Sequence, residues 1–127
     1  MGNILSNEKN FILVNFEYLI GNNDYILINT LPLNNQSCLI VKTIDSNNEE
    51  KYINELLNND INKNIVIYGK NCSDISTLSK FKQLKNLGFK NIKIYMGGLF
   101  EWLLLQDIYG DDKFQTISKE IDILKYR

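Results

Sequence analysis

The sequence predicts an α/β domain built on a parallel sheet. Short aliphatic runs of strand length alternate along the chain with segments whose apolar residues recur at helical spacing. One of the runs, Ile65–Tyr68, is unbroken, which is typical of strands buried on both faces of a parallel sheet. The alternation makes each helix a right-handed crossover between parallel strands.

Length and composition indicate one domain with its own hydrophobic core. The chain has 127 residues, of which 44% are hydrophobic, and both values suit a single globular domain. No apolar run reaches the ~18 residues that a membrane-spanning helix needs. We therefore expect one domain over residues 11–127, preceded by a flexible segment at residues 1–10.

Five apolar runs are predicted to form the strands. They lie at residues 11–14, 25–28, 38–41, 65–68 and 92–95. Pro32 ends the second strand region, since the residue before a proline is disfavoured in helical geometry. Gly97 and Gly98 form a turn after the fifth run.

The helices are predicted from apolar spacing and from the residues that begin and end them. Ser46 and Glu49 match the S-x-x-E capping box, so a helix is expected from about Asn47. Gly88 suits the C-cap of the helix that follows residues 65–68. The apolar faces comprise Phe16, Leu19 and Ile20; Tyr52, Ile53, Leu56 and Leu57; Ile75, Leu78, Phe81, Leu84 and Leu87; Phe100, Leu103 and Leu104; and, in a C-terminal helical extension, Ile117, Ile121 and Leu124.

Missing residue types exclude several classes of function. The chain has no histidine, so it lacks an imidazole base and the Ser-His-Asp and Cys-His pairs of many hydrolases. Two cysteines without histidine do not make a structural zinc site. Arg127 is the sole arginine, and lysine must supply any cation inside the fold. We expect no metal and no cofactor, and the net charge of −1 argues against a nucleic-acid partner.

The loop after residues 65–68 is the place where chemistry is expected. Ligands of parallel sheets collect at the carboxyl ends of strands, beside the free N–H groups of helix N-termini. Cys72 lies in this loop with Lys70 nearby, and a helix N-terminus and a cation both favour a thiolate. Asp74 opposes formation of a Cys72 thiolate, because a carboxylate disfavours a second negative charge nearby.

These residues resemble the rhodanese-like sulfurtransferase domains. The resemblance covers about residues 11–114 and is carried by the strand Ile65–Tyr68, the loop and helix after it, Leu87-Gly88-Phe89, the strand at residues 92–95, and Gly97-Gly98-Leu99-Phe100-Glu101-Trp102, which is similar to a GG-x-x-x-W ending. It implies a three-layer α/β/α fold with a five-stranded parallel sheet. It also implies sulfur transfer in two steps. A small donor such as thiosulfate gives a sulfane sulfur to a loop cysteine, which holds it as a persulfide, and a thiol acceptor then takes this sulfur.

The resemblance also assigns the candidate site. Cys72 would be the nucleophile. The anion cradle and donor site would comprise Gly69, Lys70, Asn71, Ser73, Asp74, Ile75 and Ser76. The same fold houses phosphatases with a C-x5-R loop, but counting forward from Cys72 reaches Leu78, so that mechanism is excluded.

The chain departs from the family pattern in three ways. The family nucleophile directly follows the fourth strand, where this chain has Gly69, and Cys72 comes three residues later. The segment from Gly69 to Gly88 is slightly longer than usual, and its loop holds no arginine. Asn29-Thr30-Leu31 replaces the Asp-x-Arg that usually follows the second strand.

Three interpretations follow for the cysteines. The chain is a sulfurtransferase or persulfide carrier that uses Cys72, or a catalytically silent rhodanese-homology module that binds a protein partner. In a third, Cys38 pairs with Cys72 in a redox sensor, although a cysteine that opens an apolar strand is typically a buried hydrophobic residue.

The first six residues fit the M-G-x-x-x-[ST] pattern of N-myristoylation, with Gly2 as the acceptor. The alternative is an unmodified, frayed terminus. One acyl chain gives weak and reversible membrane association. No charged and apolar leader precedes the domain, so a reducing, cytoplasmic setting is expected.

Overall fold

A computed structural model describes residues 11–127 and confirms the α/β class. In chain order its elements are β1 (Leu13–Val14), α1 (Phe16–Gly21), β2 (Ile26–Asn29), a 3-10 helix (Leu33–Asn35), α2 (Glu49–Asn59), β3 (Ile65–Tyr68), α3 (Ser76–Leu87), β4 (Ile92–Tyr95), α4 (Gly98–Tyr109) and a second 3-10 helix (Ile123–Tyr126). The predicted flexible segment at residues 1–10, with the Gly2 acceptor, lies outside the described residues.

The four strands form one parallel sheet in the order β1-β4-β3-β2. β3 lies between β4 and β2, and all four of its residues are fully buried. Its unbroken apolar sequence fits this position, since both faces of the strand meet apolar helices. The carboxyl end of β3 therefore opens at the middle of one sheet edge.

The sheet separates two apolar clusters, which gives the predicted three-layer arrangement. Val66 and Tyr68 pack on one face with Leu99 and Trp102 of α4. The other two residues of β3 pack on the opposite face against α2 and α3, where Ile53 and Phe81 are buried. Side chains of a strand alternate between faces, so β3 contributes to both clusters.

The predicted strand at residues 38–41 does not join the sheet, which within residues 11–127 has four strands rather than the predicted five. Residues 38–40 are buried, and Ile40 forms an isolated antiparallel bridge with Thr116. The contact with β2 comes after the predicted run, as an isolated parallel bridge between Thr43 and Leu27. Lys42 has φ 76°, and this left-handed residue turns the chain so that Thr43 bonds back to the carbonyl of Ile40. The residues of this apolar run are therefore buried in the core, but they do not form a strand of the sheet.

Several predicted helix details differ in the structure. α2 begins at Glu49 without a side-chain cap from the predicted box, since Asp45 accepts the N–H of Asn47 instead. Ile75 precedes α3 and is 75% exposed, so it does not belong to the inner face of that helix. Gly88, with φ 115°, ends α3 as predicted.

The C-terminal helical extension was also predicted incorrectly. Residues 110–122 form turns and bends, and the 3-10 helix Ile123–Tyr126 follows them. The periodic residues Ile117, Ile121 and Leu124 are all exposed. Phe114 and Tyr126, which are buried in the core cluster, fix this segment to the core.

None of the helices in residues 11–127 combines the length and the apolar content that a membrane crossing requires.

Candidate functional site

The loop between β3 and α3, residues 69–75, lies at the carboxyl edge of the sheet. Thr30, just after β2, is tied to the end of β3 by a hydrogen bond from its N–H to the carbonyl of Tyr68, 3.0 Å long. A cavity of about 440 Å³ beside the loop is lined by Thr30, Pro32, Lys70, Asn71, Ser73, Asp74 and Ser76. Five of the predicted site residues thus meet at one cavity.

The carboxylate of Asp74 occupies the centre of this loop. Its Oδ2 accepts the backbone N–H of Lys70 at 2.8 Å, and its Oδ1 accepts the N–H of Ser76 at 3.0 Å. The hydroxyl of Ser76 is within hydrogen-bond distance of both Asp74 Oδ1 (2.6 Å) and Thr30 Oγ1 (2.7 Å). One N–H group at the start of the loop and one at the start of α3, where an anion would be stabilised, are therefore bound to a carboxylate of the chain itself.

The electrostatics of Asp74 agree with this role. Burial by itself raises the pKa of the carboxyl group, but hydrogen bonds from Ser76 and from the Lys70 N–H, with the Lys70 charge, hold it below its ordinary value. Asp74 is therefore ionised at neutral pH. A second anion in the same loop would face its negative charge.

Gly69 leaves the space that the Asp74 carboxylate fills. A Cβ at residue 69 would lie 2.5 Å from Asp74 Oδ2, 2.9 Å from its Cγ and 3.0 Å from Thr30 Oγ1. These distances are shorter than real Cβ contacts, so any side chain here must displace its neighbours. The position that the family resemblance gives to the nucleophile has no room for one while Asp74 stays in place.

The carbonyl groups of the loop bind the start of α4. The N–H groups of Leu99 and Phe100 donate to the carbonyls of Gly69 and Lys70, at 3.0 Å and 2.9 Å. Gly98 adopts φ 68° at this junction, and a Cβ on it would lie 2.8 Å from both the backbone N of Asn71 and the carbonyl O of Gly69. The close approach of two backbones requires a glycine at residue 98.

Cys72 lies on the outer side of the loop. Its side chain is exposed and it is a free thiol. Cys72 is not among the residues that line the cavity beside Asp74. Its neighbour Asn71 instead holds the loop in place, donating from Nδ2 to the carbonyl of Tyr126 at 2.9 Å and accepting the Ser73 N–H at 2.9 Å.

Cys38 is buried, as the sequence predicted, with 1% of its surface exposed. Its Sγ lies 3.4 Å from the carbonyl of Ser118, and burial raises the pKa of the thiol above its ordinary value. Cys38 is thus a poor nucleophile inside the core, while Cys72 is reachable from solvent.

A double-mutant cycle tests the coupling between Gly69 and Asp74. Gly69→Ala alone is expected to destabilise the fold by about 1–3 kcal/mol, because its methyl group collides with the carboxylate. Asp74→Ala removes that obstacle, so the same glycine substitution should cost clearly less in the Asp74→Ala protein. Urea unfolding of the four proteins measures both values. Equal costs in the two backgrounds would show that Asp74 does not fill the space beside residue 69.

Sequence reasoning placed Asp74 in the candidate site but did not identify its hydrogen bonds to Lys70 and Ser76. The spacing of Asp74 two residues before Ser76 is typical of a side chain that caps the N-terminus of a helix, and this signal was available. The contacts of the loop with Thr30 and Tyr126 join residues distant in sequence, and no local pattern predicts them.

Comparisons with known proteins agree with the fold. A search of curated sequences finds no match. Among solved structures, the Alr3790 protein from Anabaena sp. aligns with TM-score 0.60 and 16% identity, over 88% of this chain and 97% of that one. A Rhodanese_3 like domain from the same Anabaena protein aligns with TM-score 0.51 and 17% identity, over 64% and 92%.

The single domain sulfurtransferase RDL2 of Saccharomyces cerevisiae aligns with TM-score 0.55 and 15% identity, over 81% of this chain and 94% of that one. At these identities the structures show a shared fold. The model of the rhodanese-like domain family matches residues 37–105, which include β3, the loop, α3, β4 and most of α4. Since this match spans more than half of the chain, the chain belongs to the rhodanese-like domain family.

Proposed function

We propose that this rhodanese-like domain is a binding module for a protein partner and does not carry sulfur at the family's nucleophile position. The occupation of the loop by Asp74 is the observation that supports the proposal. A persulfide anion in this fold needs loop N–H donors, and here those of Lys70 and Ser76 are already bound to a carboxylate. Gly69, which stands at the family's nucleophile position, provides no thiol within reach of these N–H groups.

Cys72 supports a second candidate, a persulfide carrier, because its thiol is exposed in the same loop. In that reaction the Cys72 thiolate would attack the outer sulfur of thiosulfate. The sulfur–sulfur bond of the donor breaks, sulfite leaves with the electron pair, and a cysteine persulfide forms. A thiol acceptor or cyanide would then attack the outer sulfur and release the Cys72 thiolate.

Intact mass after incubation with thiosulfate or mercaptopyruvate separates the two candidates. For the binding module we expect no added sulfur in the wild-type protein or in Cys72→Ser. Cys38→Ser serves as the matched cysteine control, because the buried Cys38 should not react in either case. Addition of one sulfur that cyanide removes, present in wild type and Cys38→Ser but absent in Cys72→Ser, would overturn the binding-module proposal and establish the carrier.

N-myristoylation at Gly2, proposed from the sequence pattern, would bring such a module to a membrane weakly and reversibly. A partner on that membrane would then be met at raised local concentration. Gly2→Ala removes the acceptor.

A further inference from the structure

Helix α3 carries a group of lysines on the side that faces β1. Lys82 and Lys85 are three residues apart and are therefore neighbours on the helix surface. The Nζ atom of Lys82 lies 5.8 Å from the ring centroid of Phe11, which precedes β1, and Phe11 packs edge to face against Phe81 at 5.1 Å. Lys90 lies between the end of α3 and β4, the strand next to β1. We call Lys82, Lys85 and Lys90 the lysine flank.

The positive charge of the lysine flank is not balanced by carboxylates. All three lysines are exposed, and within residues 11–127 none of them forms an ion pair. α3 contains no acidic residue. The acidic helix α2 meets α3 on its other side, where Glu49 binds Lys80 at 2.7 Å, and Asp60 at the end of α2 pairs with no lysine of the described chain. The helix dipole accounts for Lys85 in the last turn of α3 but not for Lys82 in its middle.

The opposite face of the sheet has the opposite charge. α4, which packs there, contains Glu101 and Asp107 and no basic residue. The net charge of −1 therefore combines a basic surface on the outer side of α3 with an acidic one on the side of α4. Such a separation of charge orients a protein in front of a charged surface, with the lysine flank toward negative charge.

The chain enters the domain beside the lysine flank. Gly2, the predicted acyl acceptor, precedes Phe11 by nine residues, which span at most about 30 Å when fully extended. Leu13 pairs with Ile94 in the sheet, so it lies on the same face as α3, and it is 48% exposed. Lysines next to an exposed leucine are typical of surfaces that bind at a membrane interface.

We propose that the lysine flank binds the anionic surface of a lipid bilayer and is the second membrane signal beside the acyl group at Gly2. A single acyl chain binds a membrane weakly, whereas an acyl chain with a basic patch gives stable attachment. Each lysine near an anionic membrane strengthens binding about fivefold, so the three together contribute about a hundredfold. Lys9 adds little to this, since Glu8 precedes it.

This inference goes beyond the binding-module function, because it gives the domain an orientation. The lysine flank is at the end of α3, and the loop at residues 69–75 precedes its start. A helix of 12 residues is about 18 Å long, so the loop would face away from the membrane. The candidate site would then stay open to a protein partner.

The unmodified full chain tests the lysine flank without an acyl group. Isotope-labelled protein is titrated with nanodiscs of phosphatidylcholine containing about 30% phosphatidylserine, and with nanodiscs of phosphatidylcholine alone. We expect amide NMR signals of residues 11–13 and 82–90 to change only with the anionic nanodiscs. The binding should weaken as salt is added.

Glutamine variants show whether these particular lysines are responsible. Lys82→Gln with Lys85→Gln should weaken binding to the anionic nanodiscs about thirtyfold, and Lys82→Arg with Lys85→Arg should leave it unchanged, because arginine keeps the charge. Lys113→Gln with Lys119→Gln is the matched control. It removes the same charge from two exposed lysines in the segment after α4 and should leave binding unchanged.

Vesicle flotation of the chain acylated at Gly2 tests whether the two signals act together. The acylated protein should float with vesicles that contain phosphatidylserine, and both Gly2→Ala and the Lys82→Gln, Lys85→Gln variant should release most of it.

Four results would each overturn the proposal. They are equal binding to neutral and anionic nanodiscs, equal losses in the two double glutamine variants, absence of binding, and binding to a soluble glutamate-rich peptide as tight as to the membrane. The last result would assign the lysine flank to an acidic protein. Sulfur loading of Cys72 overturns the binding-module function and does not bear on the lysine flank, whereas a failure of membrane binding leaves that function standing.

Discussion

Gly98→Ala is expected to destabilise the protein by about 2–5 kcal/mol, the sum of two separate costs. The residue has φ 68°, a conformation that strains any residue with a Cβ. The new methyl group would also lie 2.8 Å from two backbone atoms, Asn71 N and Gly69 O. Backbone cannot move aside as a flexible side chain can, and the hydrogen bonds between the loop and α4 fix both segments.

Denaturant unfolding followed by circular dichroism measures this cost, with two glycines of the same chain as controls. Gly88→Ala also has positive φ, 115°, but its Cβ would meet only Ile61 at 3.5 Å, so it isolates the conformational strain. Gly21→Ala has neither strain nor a neighbour within 4 Å and should be close to neutral. If Gly98→Ala costs no more than Gly88→Ala, the close approach of loop and helix contributes nothing to stability.

Two substitutions of Tyr126 are expected to affect stability very differently. Tyr126→Ala should cost about 3–5 kcal/mol, because the ring is fully buried and would leave a cavity beneath the C-terminal segment. Tyr126→Phe should be neutral or stabilising by about 1 kcal/mol, because the buried hydroxyl has no hydrogen-bond partner among residues 11–127. The carbonyl of Tyr126, which accepts from Asn71, is present in both variants.

Thermal and urea unfolding of both variants test this pair, beside Tyr109→Phe. Tyr109 is 71% exposed, so loss of its hydroxyl should leave stability unchanged. A Tyr126→Phe protein that is less stable than wild type would mean that the hydroxyl is hydrogen-bonded in solution.

Apolar patterns predicted the centre of the fold well. The unbroken apolar run of β3 indicates burial, and the apolar spacing of α3 with Gly88 at its end indicates helical geometry. Both properties can be read from the local sequence. The run at residues 38–41 was misassigned, since burial alone does not distinguish a strand from an irregular core segment. The tail was assigned to a helix because its apolar spacing is helical, although those residues face solvent and Tyr126 anchors the segment.

The sequence predicted the place of the candidate loop in the fold but not the arrangement within it. The position of the loop after a buried strand predicts its residues as the candidate site, and most of them line one cavity. The loop is also held by a hydrogen bond from Asn71 to the carbonyl of Tyr126, a contact across more than fifty residues of sequence. The occupation of the loop by Asp74 depends on Gly69, and the fit of these two residues is a three-dimensional property.

The interlocking of Gly69 and Asp74 also restricts how this loop could acquire a nucleophile by stepwise mutation. A cysteine introduced first at residue 69 would collide with the Asp74 carboxylate. Loss of Asp74 first would leave the N–H groups of Lys70 and Ser76 without their acceptor. Each single step lowers stability before any thiol is cradled, so the two changes are favourable only together. A form of the loop with a cysteine at residue 69 is therefore separated from this one by a less stable intermediate, whichever of the two substitutions comes first.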